Sequence, residues 1–305
     1  MNRPRVVVVG SANMDLVAMT PVLPAAGETV LGTDFVMVPG GKGANQAIAA
    51  TRAGASGVFL GAIGSDSFGV TLKARIAASG VDTGQLRVVY GASGVAVVTV
   101  DAAGENTVVV APGANAAFTG LTEPELSAVR RADVLVAQLE IPLETVLEAA
   151  RAARAAGTRV VLNAAPAREL PAELLGLVDL LVVNEGEALA ISGVGREDPG
   201  ALLAAVPRAV LTLGAAGAWY GDRDGTDARI PAFPIDAVDS TGAGDAFTGA
   251  LAVAWGEGRD LVDAVRWACA AGAACARQVG ASASLPRRDE IDTLYATGAG
   301  SDPTA

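Results

Sequence analysis

At 305 residues, 51% of them apolar, the chain can bury a sizeable core, which excludes a disordered polypeptide. A formal charge of −11 with no clustered Lys and Arg excludes a nucleic-acid surface, which needs basic groups gathered against phosphates. Histidine is absent, so Ser-His-Asp triads and most transition-metal sites are excluded, and any proton transfer falls to a carboxylate, Lys, Tyr or Cys.

The chain opens Met-Asn-Arg-Pro-Arg and passes into a predicted strand at 6–9, without the apolar core and cleavage site of a secretory leader. No apolar stretch approaches the ~20 residues that span a bilayer, so a soluble, cytoplasmic protein without a membrane partner is expected. Residues 16–38 lack helical periodicity, and 28–38 read as one or two strands. A helix is predicted over 44–53, a strand over 58–63 and a helix over 68–79. Strand-like runs at 94–100 and 106–110, joined by the turn-rich Asp101-Ala-Ala-Gly-Glu105, read as a hairpin outside the main sheet. There follow a helix at 123–131, a strand at 134–139, a helix at 143–156, and strands at 159–162 and 180–183. A helix at 198–205, a strand at 209–213, and helices at 243–255 and 261–278 complete the pattern. Near-continuous apolar strands alternating with Ala-rich amphipathic helices predict an α/β fold with a doubly wound, mainly parallel sheet flanked by helices. One domain is expected over 1–296, with a small β lid from about 14–38 and 94–111 and a frayed tail at 297–305.

The common nucleotide motifs fail. Lys42 of Pro39-Gly-Gly-Lys-Gly-Ala-Asn45 is followed by Gly and lacks the upstream Gly of a P-loop, and no G-x-G-x-x-G follows the first strand. That strand leads instead to Asn13 and Asp15, short polar residues placed at the sheet edge where open α/β sheets bind ligands, or an Asx turn. Gly40-Gly41-Lys42-Gly43-Ala44-Asn45 opens a helix, where glycines allow close backbone approach and Asn45 offers a donor and an acceptor. Glu140 and Asn163 each follow a buried strand. Asn184 and Glu187, one helical turn apart, suit a hydrated Mg²⁺ or a phosphate, and suit a capping box equally well. Thr212-Leu-Gly214-Ala-Ala-Gly217 supplies a small-residue turn that a flat base could share. Cys269 and Cys275 have neither disulfide nor zinc spacing and read as small core residues.

Ala237-Val-Asp-Ser-Thr-Gly-Ala-Gly-Asp-Ala-Phe247 is the most informative stretch. Gly242, Ala243 and Gly244 at a helix start would present unpaired N–H groups and the positive end of the helix dipole, forming an anion hole for a phosphoryl group. Asp245, in the same first turn, could accept a proton from an attacking hydroxyl. An acidic residue in a first helical turn is also favourable by itself, by ~0.3 to 1 kcal/mol.

From about Val6 to Leu294 the sequence resembles the ribokinase-like (PfkB) family of carbohydrate kinases. Gly40-Gly-Lys-Gly-Ala-Asn-Gln46 looks like the family's N-terminal signature and Asp239-Ser-Thr-Gly-Ala-Gly-Asp245 like its C-terminal one; Gln138-Leu-Glu140 and residues 163–170 are also similar. The resemblance implies ATP-dependent phosphorylation of D-ribose at its 5-hydroxyl, with Mg²⁺ and an activating K⁺. A kinase for another sugar or a nucleoside is the alternative, and a non-catalytic sugar or nucleotide sensor a third. By position, Asn13, Asp15, Gly41, Lys42, Gly43, Asn45 and Glu140 would hold the sugar, with Asp245 as the base. Asn184, Thr212, Gly214, Gly217, Gly244 and Cys269 would contact the nucleotide, and Glu187 would assist the Mg²⁺ shell. K⁺ would lie beside Asp239 and Thr241, with Cys275, Gln278, Gly280 and Ser284. Two departures stand out: Ser240 where Thr is usual, and Cys269 at a position often filled by His. The lid strands resemble those through which such kinases form homodimers.

Overall fold

The computed structural model describes residues 3–193 and 195–297. The first third runs β1 (Arg5–Val9), β2 (Asn13–Met19), β3 (Asp34–Gly40), α1 (Lys42–Arg52), β4 (Ser56–Leu60), β5 (Ala62–Gly64), α2 (Ser67–Ala78), β6 (Arg87–Val89), β7 (Gly94–Val100) and β8 (Asn106–Ala111). Next come α3 (Glu123–Arg130), β9 (Val134–Ala137), α4 (Leu143–Ala156), β10 (Arg159–Asn163), α5 (Ala172–Leu175), β11 (Leu180–Asn184), α6 (Glu185–Ser192) and β12 (Arg208–Thr212). The chain then forms β13 (Ala218–Asp222), β14 (Asp227–Ile230), α7 (Ala243–Gly256), α8 (Leu261–Ala276), α9 (Ala281–Ser284) and α10 (Arg288–Thr297). The tail expected to fray begins at Thr297, which closes α10, and otherwise lies outside the described residues. Among the described residues no helix is long and apolar enough to cross a membrane.

Eight strands form the main sheet in the order β14-β13-β12-β11-β10-β9-β1-β4. The pairings from β4 to β12 are parallel, and β13 and β14 extend that edge antiparallel. Side chains of a strand alternate between faces, so the valines of β1 supply both halves of the core. Val6 and Val8 join α1, α7 and α8 through Ile48, Leu251 and Trp267, whereas Val7 and Val9 join α3 and α4 through Val129 and Val146. Each fully buried Val or Leu contributes about 1.5 to 3 kcal/mol, which is why the strands read as continuous apolar runs.

β3, β2, β7 and β8 form a separate four-stranded sheet, the expected lid. Its predicted hairpin is present: the Asp101 N–H donates to the Glu105 carbonyl at 3.0 Å, and Gly104 takes the left-handed φ of 83° that the turn requires. The segment 28–38 contributes one strand, β3.

Four local expectations change. The strand expected over 58–63 divides at Gly61, because a Cβ there would stand 2.6 Å from the Gly10 carbonyl oxygen; β5 leaves the main sheet to pair with β6. Residues 199–204 form a 3₁₀ segment rather than an α-helix, consistent with Pro199-Gly200 at its start. β13 and β14 carried no strand signal, since Gly221 interrupts β13 and both strands are short, with Gly217 and Gly225 in the flanking turns. The helix α6 is short and only weakly amphipathic, and went unpredicted for that reason.

Candidate active site

One close contact between helices brings the site together. A Cβ on Gly249 of α7 would lie 2.6 Å from the Ala49 Cβ and 2.8 Å from the Ala50 N, so glycine lets α7 press against α1. One turn toward each N-terminus stand Asp245 and Asn45. The Asn45 Nδ2 donates to Asp245 Oδ2 at 2.9 Å, and the Gln46 Nε2 donates to Asp245 Oδ1 at 2.9 Å. Gln46 is itself fixed: its Nε2 also donates to Asn163 Oδ1 at 2.9 Å, and its Oε1 accepts from Gln138 Nε2 at 2.5 Å. Two neutral amides thus orient the carboxylate, and each oxygen keeps a lone pair for a substrate proton. Burial pushes the Asp245 pKa up, while Lys42 and the two amides pull it down and Glu140 adds to the rise; the net direction is upward.

The glycines of the first signature act mainly on packing. Gly41 has φ 91°, and a Cβ there would meet Asn13 N at 2.6 Å; at Gly40 it would meet Asp15 Oδ2 at 2.3 Å. Gly43 makes a close approach of its own. It is buried with room for no Cβ against Ser11 N at 2.5 Å and Gly10 C at 2.6 Å, so it serves the approach of α1 to the end of β1. The N-terminus of α1 meets a carboxylate, as the helix dipole favours: Glu140 Oε2 accepts from the Lys42 N–H at 3.2 Å and from Ser11 Oγ at 2.5 Å.

Asn13 and Asp15 open β2 of the lid rather than ending β1, and they share one strand face. The Asp15 carboxyl is pushed up to about 7, by burial first and then by Glu140 and Asp245, with Lys42 opposing. Burial works against a charged Lys42, but Asp245, Glu140, Glu187 and Asp15 outweigh it and raise its pKa, so the ammonium persists. Lys42 lines a cleft of about 150 Å³ with Asn163, Asn184, Glu187, Gly244 and Asp245.

At the start of α7, Gly242 takes φ 81° and caps the helix. Of the N–H groups expected to be unpaired here, that of Ala243 is engaged in the tight turn, donating to the Ser240 carbonyl at 3.1 Å. The first-turn N–H groups of Gly244 and Asp245 have no backbone acceptor among the described residues and remain the open donors. Beside them lies a largely apolar cleft of about 460 Å³. Of the residues the resemblance puts against a nucleotide, Thr212, Gly214, Gly217, Gly244 and Cys269 all line it. Burial pushes the Cys269 thiol up to about 12, so it is a neutral wall. Phe233, Pro234 and Ile235 line the same cleft; their loop gives no helix or strand signal, and only its apolar run before the second signature marked it. The two clefts meet at Thr212 and Gly244.

Asn184 and Glu187 form the capping box: Asn184 Oδ1 accepts from the Glu187 N–H at 2.9 Å and Glu187 Oε2 from the Asn184 N–H at 2.8 Å. Both still line the smaller cleft, and one Glu187 oxygen is left for a hydrated ion. Among the described residues no cluster of three or more His, Cys, Asp or Glu could enclose a metal by itself, so the donor set fits a Mg²⁺ held chiefly by phosphate and water.

Asp239 links two loops, its Oδ1 accepting from the Thr241 N–H and its Oδ2 from the Gly280 N–H, both at 2.9 Å. Cys275 Sγ lies 3.1 Å from Ser284 Oγ and 3.7 Å from the Thr241 carbonyl; burial first, then the neighbouring carboxylates against the Ser284 bond, holds its thiol up at about 11. The Asp239 carboxylate and the Thr241 carbonyl are hard oxygen donors of the kind that fits a monovalent cation, with the Cys275 thiol a neutral neighbour. Gln278 lines another cleft, between α8 and α10, with Arg277 and Glu290.

A half-buried carboxylate held between a polar pocket and an apolar cleft, beside open helix N–H groups, defines a phosphotransferase that acts on an alcohol. The chain belongs to the pfkB family carbohydrate kinases, whose model matches residues 3–288. It is 38% identical over 298 residues to a ribokinase from Haemophilus influenzae, covering 94% of this chain and 97% of that one. It is 39% identical over 295 residues to a ribokinase from Bacillus subtilis, covering 94% and 98%. The structure of Arabidopsis thaliana ribokinase complexed with ribose and ATP superposes with a TM-score of 0.91 at 31% identity, covering 96% of this chain and 99% of that one.

Proposed function

We propose that this carbohydrate kinase transfers the γ-phosphoryl group of ATP to the 5-hydroxyl of D-ribose, giving D-ribose 5-phosphate and ADP. The observation that carries the reading is Asp245, half-buried at the start of α7 and gripped through both oxygens by Asn45 and Gln46. The relatives named ribokinase and the ribose–ATP complex of the Arabidopsis protein support the choice of sugar and nucleotide. Asn13, Asp15, Gly41, Asn45 and Glu140 surround the sugar, and the 460 Å³ cleft takes the nucleotide base. Asp245 removes the hydroxyl proton as that oxygen bonds to phosphorus, and the bond from phosphorus to the ADP oxygen breaks. Lys42 and the N–H groups of Gly244 and Asp245 stabilise the negative charge passing between them. When bound, Mg²⁺ would neutralise phosphate charge, with Glu187 available to its water shell, and K⁺ would be held beside Asp239 and Thr241. A second copy of the chain covers the lid, where Phe35 and Met37 on one edge strand are 55% and 57% exposed and Val109 on the opposite edge strand is 69% exposed; sedimentation of Val109→Asp as a monomer checks this.

A sensor has no need of an oriented base, which favours the enzyme over that alternative. Rates with ribose, 2-deoxyribose, fructose and adenosine, each with ATP, test the assignment. Ribose should give the highest kcat/KM, and a clear preference for another acceptor overturns the choice of substrate.

A further inference from the structure

We propose that Asn115, which lies behind the sugar pocket, is a positioning residue that sets the pocket's hydrogen-bond polarity by locking the amide of Asn13. The proposal rests on the reading of Asn13 as a sugar contact. Asn115 sits in the short 3₁₀ turn after β8 and is 1% exposed; Asn13 is 2% exposed. The Asn115 Oδ1 accepts from the Ala12 N–H at 3.0 Å, and its Nδ2 donates to the Ala12 carbonyl at 3.2 Å. Backbone groups cannot exchange donor for acceptor, so these two bonds forbid Asn115 from turning its amide over. Its Nδ2 also donates to Asn13 Oδ1 at 2.7 Å. Only an acceptor can stand there, so Asn13 is fixed with its oxygen toward Asn115 and its NH₂ left for the ligand.

The pocket therefore has a defined polarity. Asn13 gives a proton to a hydroxyl oxygen, while Asp15, two residues along the same face, takes one when ionised. That pair matches a vicinal diol, whose neighbouring oxygens can each play one part. The lid enforces the arrangement. Gly94 of β7 pairs with Asn13 in the β2–β7 register, and a Cβ on it would stand 2.1 Å from Asn115 Nδ2 and 2.2 Å from Asn13 Oδ1. Glycine there preserves the space in which the two amides meet.

The test compares Asn115→Asp, Asn115→Ala, Asn13→Ala and the double alanine variant in ribose- and ATP-dependent kinetics, with calorimetric titration of D-ribose and melting temperatures. Asn115→Asp can keep an acceptor for the Ala12 N–H but has no hydrogen for Asn13, so it favours the turned-over amide. It serves if Asn115→Ala fails to fold. The ribose KM and dissociation constant should rise about tenfold in both, the discrimination of one hydrogen bond, with kcat and the ATP KM within about twofold. Asn13→Ala with Asn115→Ala should bind ribose no worse than Asn13→Ala alone. Equal losses for ribose and ATP, unchanged ribose binding, or additive losses in the double variant overturn the proposal. Failure of the unaltered protein to phosphorylate ribose would instead count against the function proposed above.

Discussion

Replacing Asp245 with Asn keeps the shape of the side chain and removes its basicity, and the surrounding amides determine how it is accommodated. Gln46 cannot turn over, because its Oε1 is held by Gln138 and its Nε2 by Asn163. The new amide must keep its oxygen toward Gln46 and direct its NH₂ toward Asn45. Asn45 can accept that group by turning over, since its Oδ1 is buried with no hydrogen-bond partner. The carboxyl of Asp245 has a pKa raised chiefly by burial, so its contribution to stability is lost as pH rises through that value. A neutral amide should therefore melt no lower than the parent at pH 8. Loss of the general base should reduce kcat by at least ~10², about 2.7 kcal/mol of barrier. An ADP-release assay at saturating ribose and ATP reads kcat, and calorimetry should find ribose affinity within a few-fold. A kcat within tenfold of the parent, with ribose binding retained, would refute Asp245 as the base.

Gln46→Leu should lower kcat about tenfold, within the range of positioning effects, and shift the acid limb of the pH–kcat profile upward, because a bond that lowers the Asp245 pKa is lost. The Asp15 carboxyl, raised to about 7, destabilises the free protein above that pH and not below its unfolded value. Asp15→Asn should accordingly stabilise the ligand-free protein at pH 8, on the order of a few kcal/mol, with the gain shrinking toward pH 5 and ribose affinity falling. Thermal denaturation across pH checks the sign. Asp239→Ala releases the N–H groups of Thr241 and Gly280. It should abolish any difference between K⁺ and Na⁺ in both melting temperature and turnover; a preference for K⁺ that survives would place the cation elsewhere.

Both signatures were legible in the sequence because each acts locally: glycines at a helix start and an acid in its first turn have the same consequences in any fold. The buried strands were legible for a similar reason, since a strand covered on both faces must be apolar throughout. Gln46, Gln138 and Asn163 were harder to recognise as one unit. Gln46 is 199 residues from Asp245, and nothing in a lone glutamine says which carboxylate it will meet. Asn13 and Asp15 were recognised as polar residues after the first strand, but their place on the lid depended on the chain leaving the main sheet after β1. The sequence by itself determined the alternating α/β layers and the acid available to take a proton, because periodicity and residue chemistry are local. Only the tertiary structure decided that Asn45 and Gln46 grip Asp245, that the Ala243 N–H turns back on the Ser240 carbonyl and that Asn115 orients Asn13. Those outcomes follow from helices and strands meeting where glycine removes a side chain, as at Gly249 and Gly94, and such contacts exist only once the whole chain is packed.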